Sequence, residues 1–93
     1  MKSVFLDRDG VINRGIAGGY VTSWKQFEFL PGVKDALAQL CAAGVRPFIV
    51  TNQRGVARGL LTQAKLDDIH QRMLAELGQV NAHIDGIYVC VHD

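Results

Sequence analysis

The chain has 93 residues, of which 48% are hydrophobic and 20% charged, and its formal net charge is +1. This length and composition are typical of a single globular domain, at the small end of the range that can form its own core. The near-neutral charge does not indicate a nucleic-acid partner, no apolar run approaches the ~20 residues of a membrane span, and two cysteines make no disulfide framework, so we expect a cytoplasmic protein.

The hydrophobic pattern along the chain predicts three strands that alternate with two helices. The predicted strands cover residues 2–6, 46–51 and 84–91, the predicted helices cover residues 30–44 and 62–78, and the predicted irregular stretches cover residues 8–30 and 52–59. Thr62 is the expected N-cap of the second helix. The alternation predicts an α/β fold whose parallel sheet has right-handed crossovers and is buried on both faces.

Polar side chains follow each of the three predicted strands. Asp7 and Asp9 follow the first strand, Thr51 ends the second, and Cys90 and His92 lie at the end of the third. Ligands of parallel sheets bind at the carboxyl ends of the strands, so we expect a functional site there. The alternative for Thr51 is an ordinary role in a turn, because Thr is common in turns.

The stretch "VFLDRDGVIN" places two acids directly after a buried strand. If residues 7–9 stay extended, both side chains face one volume, and a divalent cation such as Mg²⁺ would offset their repulsion. One carboxylate could then attack phosphorus while the other delivers a proton. The alternative is that one Asp caps the following turn and the other is solvated. An EF-hand begun at Asp7 fails because its twelfth position, where Glu is required, is Gly18.

The segments "FLDRDGVIN" and "FIVTNQRGVARG" resemble the haloacid-dehalogenase-like (HAD) phosphohydrolases. They are most similar to the small-capped subgroup that contains heptose-bisphosphate and histidinol-phosphate phosphatases, as are "GGYV", "FEFLPGV" and "GIYVCVHD". The resemblance implies a three-layer Rossmannoid parallel sheet, truncated here to about three strands and two helices. Residues 1–93 would be the N-terminal part of one such domain.

The resemblance also implies roles for individual residues. Asp7 would be the nucleophile that forms an aspartyl-phosphate, Asp9 the general acid and then the base, and Thr51 the residue that holds the phosphoryl group. Mg²⁺ would bind the Asp7 carboxylate and the Asp9 backbone carbonyl. The implied substrate-binding residues are Gly19, Tyr20, Asn52, Gln53, Arg54 and Arg58. Arg54 and Arg58 could equally be solvated loop charges.

The Cys90-Val91-His92 ending resembles the first half of a structural zinc loop found in this subgroup. A closed zinc site takes four ligands, and this pair offers two, so the expected Zn²⁺ site is incomplete. Without the resemblance, Cys90 would be a strand cysteine and His92 a surface residue.

The family pattern also includes a lysine in a third motif and an acid in a fourth motif, and the 93 residues contain neither. We therefore expect the N-terminal half of a phosphatase, inactive alone and able to self-associate through an exposed sheet edge. The expected substrate is a small sugar phosphate, in carbohydrate metabolism. The alternatives are a histidinol-phosphate phosphatase, a polynucleotide 3′-phosphatase or a non-catalytic phosphate-binding module. The near-neutral charge argues against the polynucleotide enzyme.

Overall fold

The computed structural model describes residues 2–93, which form a three-stranded sheet and three helices. The elements are β1 (Ser3–Leu6), α1 (Val33–Ala42), β2 (Arg46–Asn52), α2 (Arg54–Ala57), α3 (Gln63–Gly78) and β3 (Gly86–Cys90), with a short 3-10 helix at Trp24–Gln26. The three predicted strands and two longer helices are confirmed. The prediction of two helices is corrected by α2, a single turn within the stretch that was predicted to be a loop. None of the helices of residues 2–93 is long and apolar enough to cross a membrane.

The sheet has the order β1-β2-β3, and both pairs of neighbouring strands are parallel. Leu6 at the end of β1 pairs with Ile49, while Thr51 near the end of β2 pairs with Val89. The carboxyl ends of all three strands therefore meet at one edge of the sheet, as the α/β prediction requires. Asp7, which follows β1, and Thr51, near the end of β2, therefore lie at this edge.

The ends of the two longer helices follow from local chemistry. The Thr62 side-chain oxygen accepts a hydrogen bond from the Lys65 backbone N–H at 3.1 Å, so the predicted N-cap of α3 is confirmed. Helix α1 begins at Val33 rather than at residue 30, because Gly32 has a φ of 81° and so lies in the left-handed region. A residue in this conformation cannot lie inside a right-handed helix, and it sets the first helical residue directly after itself.

The apolar core lies between one face of the sheet and the longer helices. Its fully buried side chains include Ile49 of β2 with Leu66, Ile69, Met73 and Leu77 of α3. These four α3 residues recur every three or four positions, which places them on one side of the helix. Leu37 of α1 belongs to the same buried cluster as these α3 side chains, so both helices cover the same face of the sheet.

The opposite face of the sheet is open. Phe5 is 63% exposed, Tyr88 56% and Val50 42%, and the Phe48 ring stacks between Phe5 and Tyr88 with centroid distances of 5.2 and 6.2 Å. The prediction that the strands are buried on both faces is therefore wrong for residues 2–93. Strand composition alone could not settle this, because covering the second face needs chain segments that these residues do not provide.

Candidate active site

The Asp9 carboxylate connects the ends of β1 and β2. Its Oδ1 accepts hydrogen bonds from Arg8 Nη2 at 2.7 Å, Arg8 Nε at 3.3 Å and Asn13 Nδ2 at 3.0 Å. Its Oδ2 accepts one from Gln53 Nε2 at 3.1 Å. Gln53 Nε2 also donates to Thr51 Oγ1 at 2.8 Å, so one buried amide links the acid of the first motif to the hydroxyl of the second.

A tight turn after β1 gives Asp9 this direction. The backbone bends at Arg8, and the Arg8 carbonyl accepts the N–H groups of Val11, Ile12 and Asn13. Gly10 follows with a φ of 89°, a conformation that glycine adopts without strain. Residues 7–9 are therefore not extended, so the alternation of side chains that would make both acids face one volume does not apply.

Asp7 lies at the end of β1 and is exposed, and its Oδ1 accepts the backbone N–H of Arg8 at 3.1 Å. The two acids of the motif thus have different surroundings. Asp9 is held by side chains from three parts of the chain, whereas Asp7 is open to solvent. An exposed carboxylate is free to approach a ligand, and a fixed one is suited to a directed proton transfer.

Arg8 was not predicted to belong to the site, yet it is fully buried there. Its Nη1 donates to His70 Nε2 at 3.2 Å, and its guanidinium carbon lies 5.7 Å from the centre of the Phe27 ring. His70 is itself buried and was not predicted to belong to the site either. Helical spacing was an available signal, since residue 70 is four positions from Leu66 and three from Met73 on the buried side of α3.

Burial and charge set the protonation states of this cluster. Burial raises the pKa of Asp9, but the Arg8 charge and the hydrogen bonds from Arg8, Asn13 and Gln53 outweigh it, so the pKa is lowered overall. Burial, followed by the neighbouring Arg8 charge, lowers the pKa of His70 to about 4. At neutral pH the carboxylate is therefore ionised and the imidazole is neutral.

A cavity of about 220 Å³ opens beside Asp9. Its lining residues are Asp9, Gly15, Ile16, Gly19, Tyr20, Val21, Asn52, Gln53 and Arg54. Helix α2 packs against Tyr20, one of the lining residues. The approach is close, since a Cβ added at Gly55 would lie only 3.4 Å from the Tyr20 side chain. A larger hollow of about 660 Å³ lies near Trp24 and Lys34, but no strand-end residue lines it. The smaller cavity is therefore the candidate site.

Three of the predicted catalytic and substrate-binding residues lie outside this lining. Thr51 is buried and hydrogen-bonded to Gln53, which does line the cavity. Asp7 lies directly after β1 and does not contribute to the lining. Arg58 Nε donates to Asp93 Oδ1 at 2.6 Å, and its guanidinium carbon lies 5.8 Å from the Tyr20 ring. Arg58 thus contacts the lining residue Tyr20 without lining the cavity itself, and its charge is paired with Asp93.

Comparisons with known proteins relate this site to a family. No family model matches the chain. Its sequence is 46% identical to the D-glycero-alpha-D-manno-heptose-1,7-bisphosphate 7-phosphatase of Mycobacterium tuberculosis, over 96% of this chain and 47% of the relative. It is 43% identical to the corresponding beta-anomer enzyme of Rhodopseudomonas palustris, over 97% of this chain and 49% of the relative.

The fold gives the same relationship. A crystal structure of D,D-heptose 1,7-bisphosphate phosphatase from B. bronchiseptica, complexed with magnesium and phosphate, matches with a TM-score of 0.96 and 40% identity. The match covers 100% of this chain and 51% of that one. The chain belongs to the HAD-like phosphatase family. It matches the N-terminal part of its heptose-bisphosphate members and spans about half of their length.

The oxygen atoms at the end of β1 suit a magnesium ion in this HAD-like chain. Mg²⁺ prefers carboxylate, carbonyl, water and phosphate oxygens in octahedral geometry. The exposed Asp7 carboxylate and the Asp9 backbone carbonyl are ligands of this kind, and they belong to residues two positions apart directly after β1. The donor set thus fits Mg²⁺, with the remaining positions left to water and phosphate.

The expected zinc half-site is not completed by other residues. Cys90 and His92 are both exposed, and the His92 backbone N–H donates to Asn52 Oδ1 at 3.1 Å. Within residues 2–93, no group of three or more His, Cys, Asp or Glu side chains could hold a metal ion. Two ligands do not form a closed zinc site, so these residues do not fit bound Zn²⁺ by themselves.

Proposed function

We propose that this chain carries the nucleophile and the acid of a magnesium-dependent phosphatase that hydrolyses a phosphomonoester through an aspartyl-phosphate. The proposed substrate is a D-glycero-D-manno-heptose 1,7-bisphosphate, since the relatives are named for both anomers of this sugar. The proposal is carried by one observation: Asp9 is fixed beside a strand-end cavity in a chain that superposes, with a TM-score of 0.96, on a phosphatase complexed with magnesium and phosphate.

In the first step, a carboxylate oxygen of Asp7 attacks the phosphorus atom. An oxygen–phosphorus bond forms at Asp7 as the bond between phosphorus and the sugar oxygen breaks. Asp9 donates the proton on Oδ2 to the departing sugar oxygen, which leaves as a hydroxyl. Oδ2 is the oxygen suited to this transfer because it accepts only the Gln53 hydrogen bond, and Asp9 is one of the residues that line the cavity.

In the second step, Asp9 acts as the base. Its ionised carboxylate takes a proton from a water molecule, whose oxygen attacks the same phosphorus atom. The bond between phosphorus and Asp7 breaks, so inorganic phosphate is released and Asp7 returns as a carboxylate. Asp9 ends this step protonated, ready to act again as the acid.

The lowered pKa of Asp9 suits the second step better than the first, because an acid must carry a proton. A bound phosphate group changes this balance. Its negative charge repels the ionised carboxylate and opposes the attraction of Arg8, so it raises the pKa of Asp9. We therefore expect Asp9 to take up its proton together with the substrate.

The other residues bind and orient the substrate. Mg²⁺, held by the Asp7 carboxylate and the Asp9 backbone carbonyl, would offset charge on the phosphate oxygens. Thr51 Oγ1 accepts from Gln53, so its hydroxyl hydrogen is available to a phosphoryl oxygen. Arg54 supplies a charge at the cavity for a second phosphate, and Gly19, Tyr20 and Asn52 form walls for the sugar.

The proposal assigns no catalytic role to Cys90, His92 or zinc. A small sugar phosphate suits a near-neutral chain with a cavity of about 220 Å³ better than a nucleic acid or a membrane surface does. The cytoplasm is the proposed compartment. Self-association through an outer strand of the sheet is a further part of the proposal.

The test is phosphate release from both anomers of heptose 1,7-bisphosphate in the presence of Mg²⁺. We expect negligible turnover by the 93-residue chain alone. We expect turnover when the chain is fused to the part of the B. bronchiseptica phosphatase that it does not match. The phosphoenzyme should be trapped with hydroxylamine at Asp7 and should be absent from the Asp7→Asn fusion.

Asp35→Asn is the matched control, because Asp35 is an exposed carboxylate on α1 outside the cavity lining. This fusion should retain the turnover of the unmodified one. A folded fusion that binds Mg²⁺ but releases no phosphate would contradict the proposal, as would Asp7→Asn turnover equal to that of Asp35→Asn. Steady turnover by the chain alone would contradict only the expectation that the second half is required.

A further inference from the structure

We propose that Arg8 and His70 are a buried positioning pair that fixes the Asp9 carboxylate, so that Oδ2 alone is presented to the cavity. Neither residue lines the cavity, and both would act through Asp9. The catalytic meaning of this arrangement rests on the proposed phosphatase function. The positioning itself is a property of the folded chain and can be measured without turnover.

The two oxygens of Asp9 have unequal surroundings. Oδ1 accepts three N–H groups, two from Arg8 and one from Asn13, which occupies its acceptor capacity. Oδ2 accepts only the Gln53 amide. Oδ1 therefore has no acceptor position left, whereas Oδ2 has a free one. The Arg8 contacts fix the orientation of Oδ1 and leave Oδ2 as the less occupied oxygen.

Arg8 can hold Oδ1 because its own position is fixed from the other side. The side chain is fully buried, Nη1 donates to His70 Nε2 at 3.2 Å, and the guanidinium lies 5.7 Å from the Phe27 ring centre. The guanidinium is planar, so bonds to His70 on one side and Asp9 on the other fix its orientation. Rotation of Arg8 would leave buried N–H groups without acceptors.

His70 serves as the acceptor only while its Nε2 carries no hydrogen. The neutral imidazole with its hydrogen on Nδ1 satisfies this condition. Burial and the adjacent Arg8 charge favour the neutral ring, in line with a pKa of about 4. Helix α3 thereby holds the end of β1 through a contact that spans 62 residues of sequence.

The experiment follows the Gln53 side-chain amide of the ¹⁵N-labelled chain by NMR, since this group donates directly to Asp9 Oδ2. The variants are His70→Leu, which removes the acceptor for Arg8, and Arg8→Lys, which keeps the charge but loses the planar fork. Asp9→Ala is the reference variant, because it shows where the Gln53 amide resonances lie when the acceptor Asp9 Oδ2 is absent. His83→Leu is the control, because His83 is an exposed histidine next to the opposite end of the sheet.

In both test variants the Gln53 amide resonances should move more than half of the way to their Asp9→Ala positions, and in His83→Leu they should stay at the wild-type position. The His70 ring should show an unprotonated Nε2 at neutral pH in the unmodified chain. Should His70→Leu fail to fold, Arg8→Lys decides alone. Unmoved Gln53 resonances in folded Arg8→Lys, or a hydrogen on Nε2, would overturn the proposal.

A kinetic arm separates this inference from the proposed function. In the active fusion, His70→Leu and Arg8→Lys should lower kcat by about 10- to 100-fold, the range typical for residues that orient a reacting group. KM should stay within about threefold, because neither residue contacts the substrate cavity. An inactive unmodified fusion with shifted Gln53 resonances in the variants would refute the phosphatase and leave the positioning pair intact. An active fusion with unchanged kcat in folded variants would refute the pair.

Discussion

The substitution Asp9→Asn should destabilise the fold as well as abolish the proposed phosphoryl transfer. The single oxygen of the new amide can still accept from Arg8, but the NH₂ group of that amide then faces the NH₂ group of Gln53, so two donors meet. The variant also loses the charge on hydrogen bonds to a buried guanidinium. For a partly exposed carboxylate this costs about 1.5–3 kcal/mol, out of a total stability of about 5–14 kcal/mol for a domain of this size.

Urea unfolding, followed by the fluorescence of the single tryptophan Trp24, measures this cost. With an m-value of about 1–2 kcal/mol/M, the midpoint should fall by about 0.8–3 M at unchanged m. Asp7→Asn is the matched control, because the same chemical change at an exposed carboxylate should alter stability by less than about 0.5 kcal/mol. Equal midpoints for the two variants would refute the reasoning that the Arg8 contacts stabilise Asp9.

Three further predictions test other parts of the structure. The folded-state pKa of His70, about 4, lies below the unfolded value near 6.5, so the unfolded chain binds more protons between these pH values. Stability should fall on acidification through this window by at most about 1.4 kcal/mol per pH unit, and His70→Gln should flatten the urea-midpoint curve. Thr62→Ala should cost about 1 kcal/mol in urea unfolding through loss of the α3 cap, and an unchanged midpoint would mean that the cap contributes nothing. Phe5→Lys should reduce self-association in sedimentation experiments by placing a charge on the outer strand β1, and a wild-type chain that is monomeric at every concentration would contradict this.

The candidate site was predictable where it depends on strand order. Parallel strands bring their carboxyl ends together, so Asp9 and Thr51 had to lie near each other once β1 and β2 were recognised as neighbours. The role of Gln53 was harder to predict. It was expected to line the substrate site, and it does line the cavity, but it also links Asp9 to Thr51. Which acceptors an amide finds depends on distances that strand order does not specify.

Local chemistry in the sequence determined the elements of this protein. Short apolar runs determined the strands, and the helical spacing of apolar residues determined α1 and α3. Thr62 determined the start of α3. Each of these signals acts within a few residues. Only the tertiary structure decided that Arg8 is buried against His70 and that one face of the sheet stays open. Both outcomes depend on segments far apart in the chain, whose contacts form only when the helices pack on the sheet.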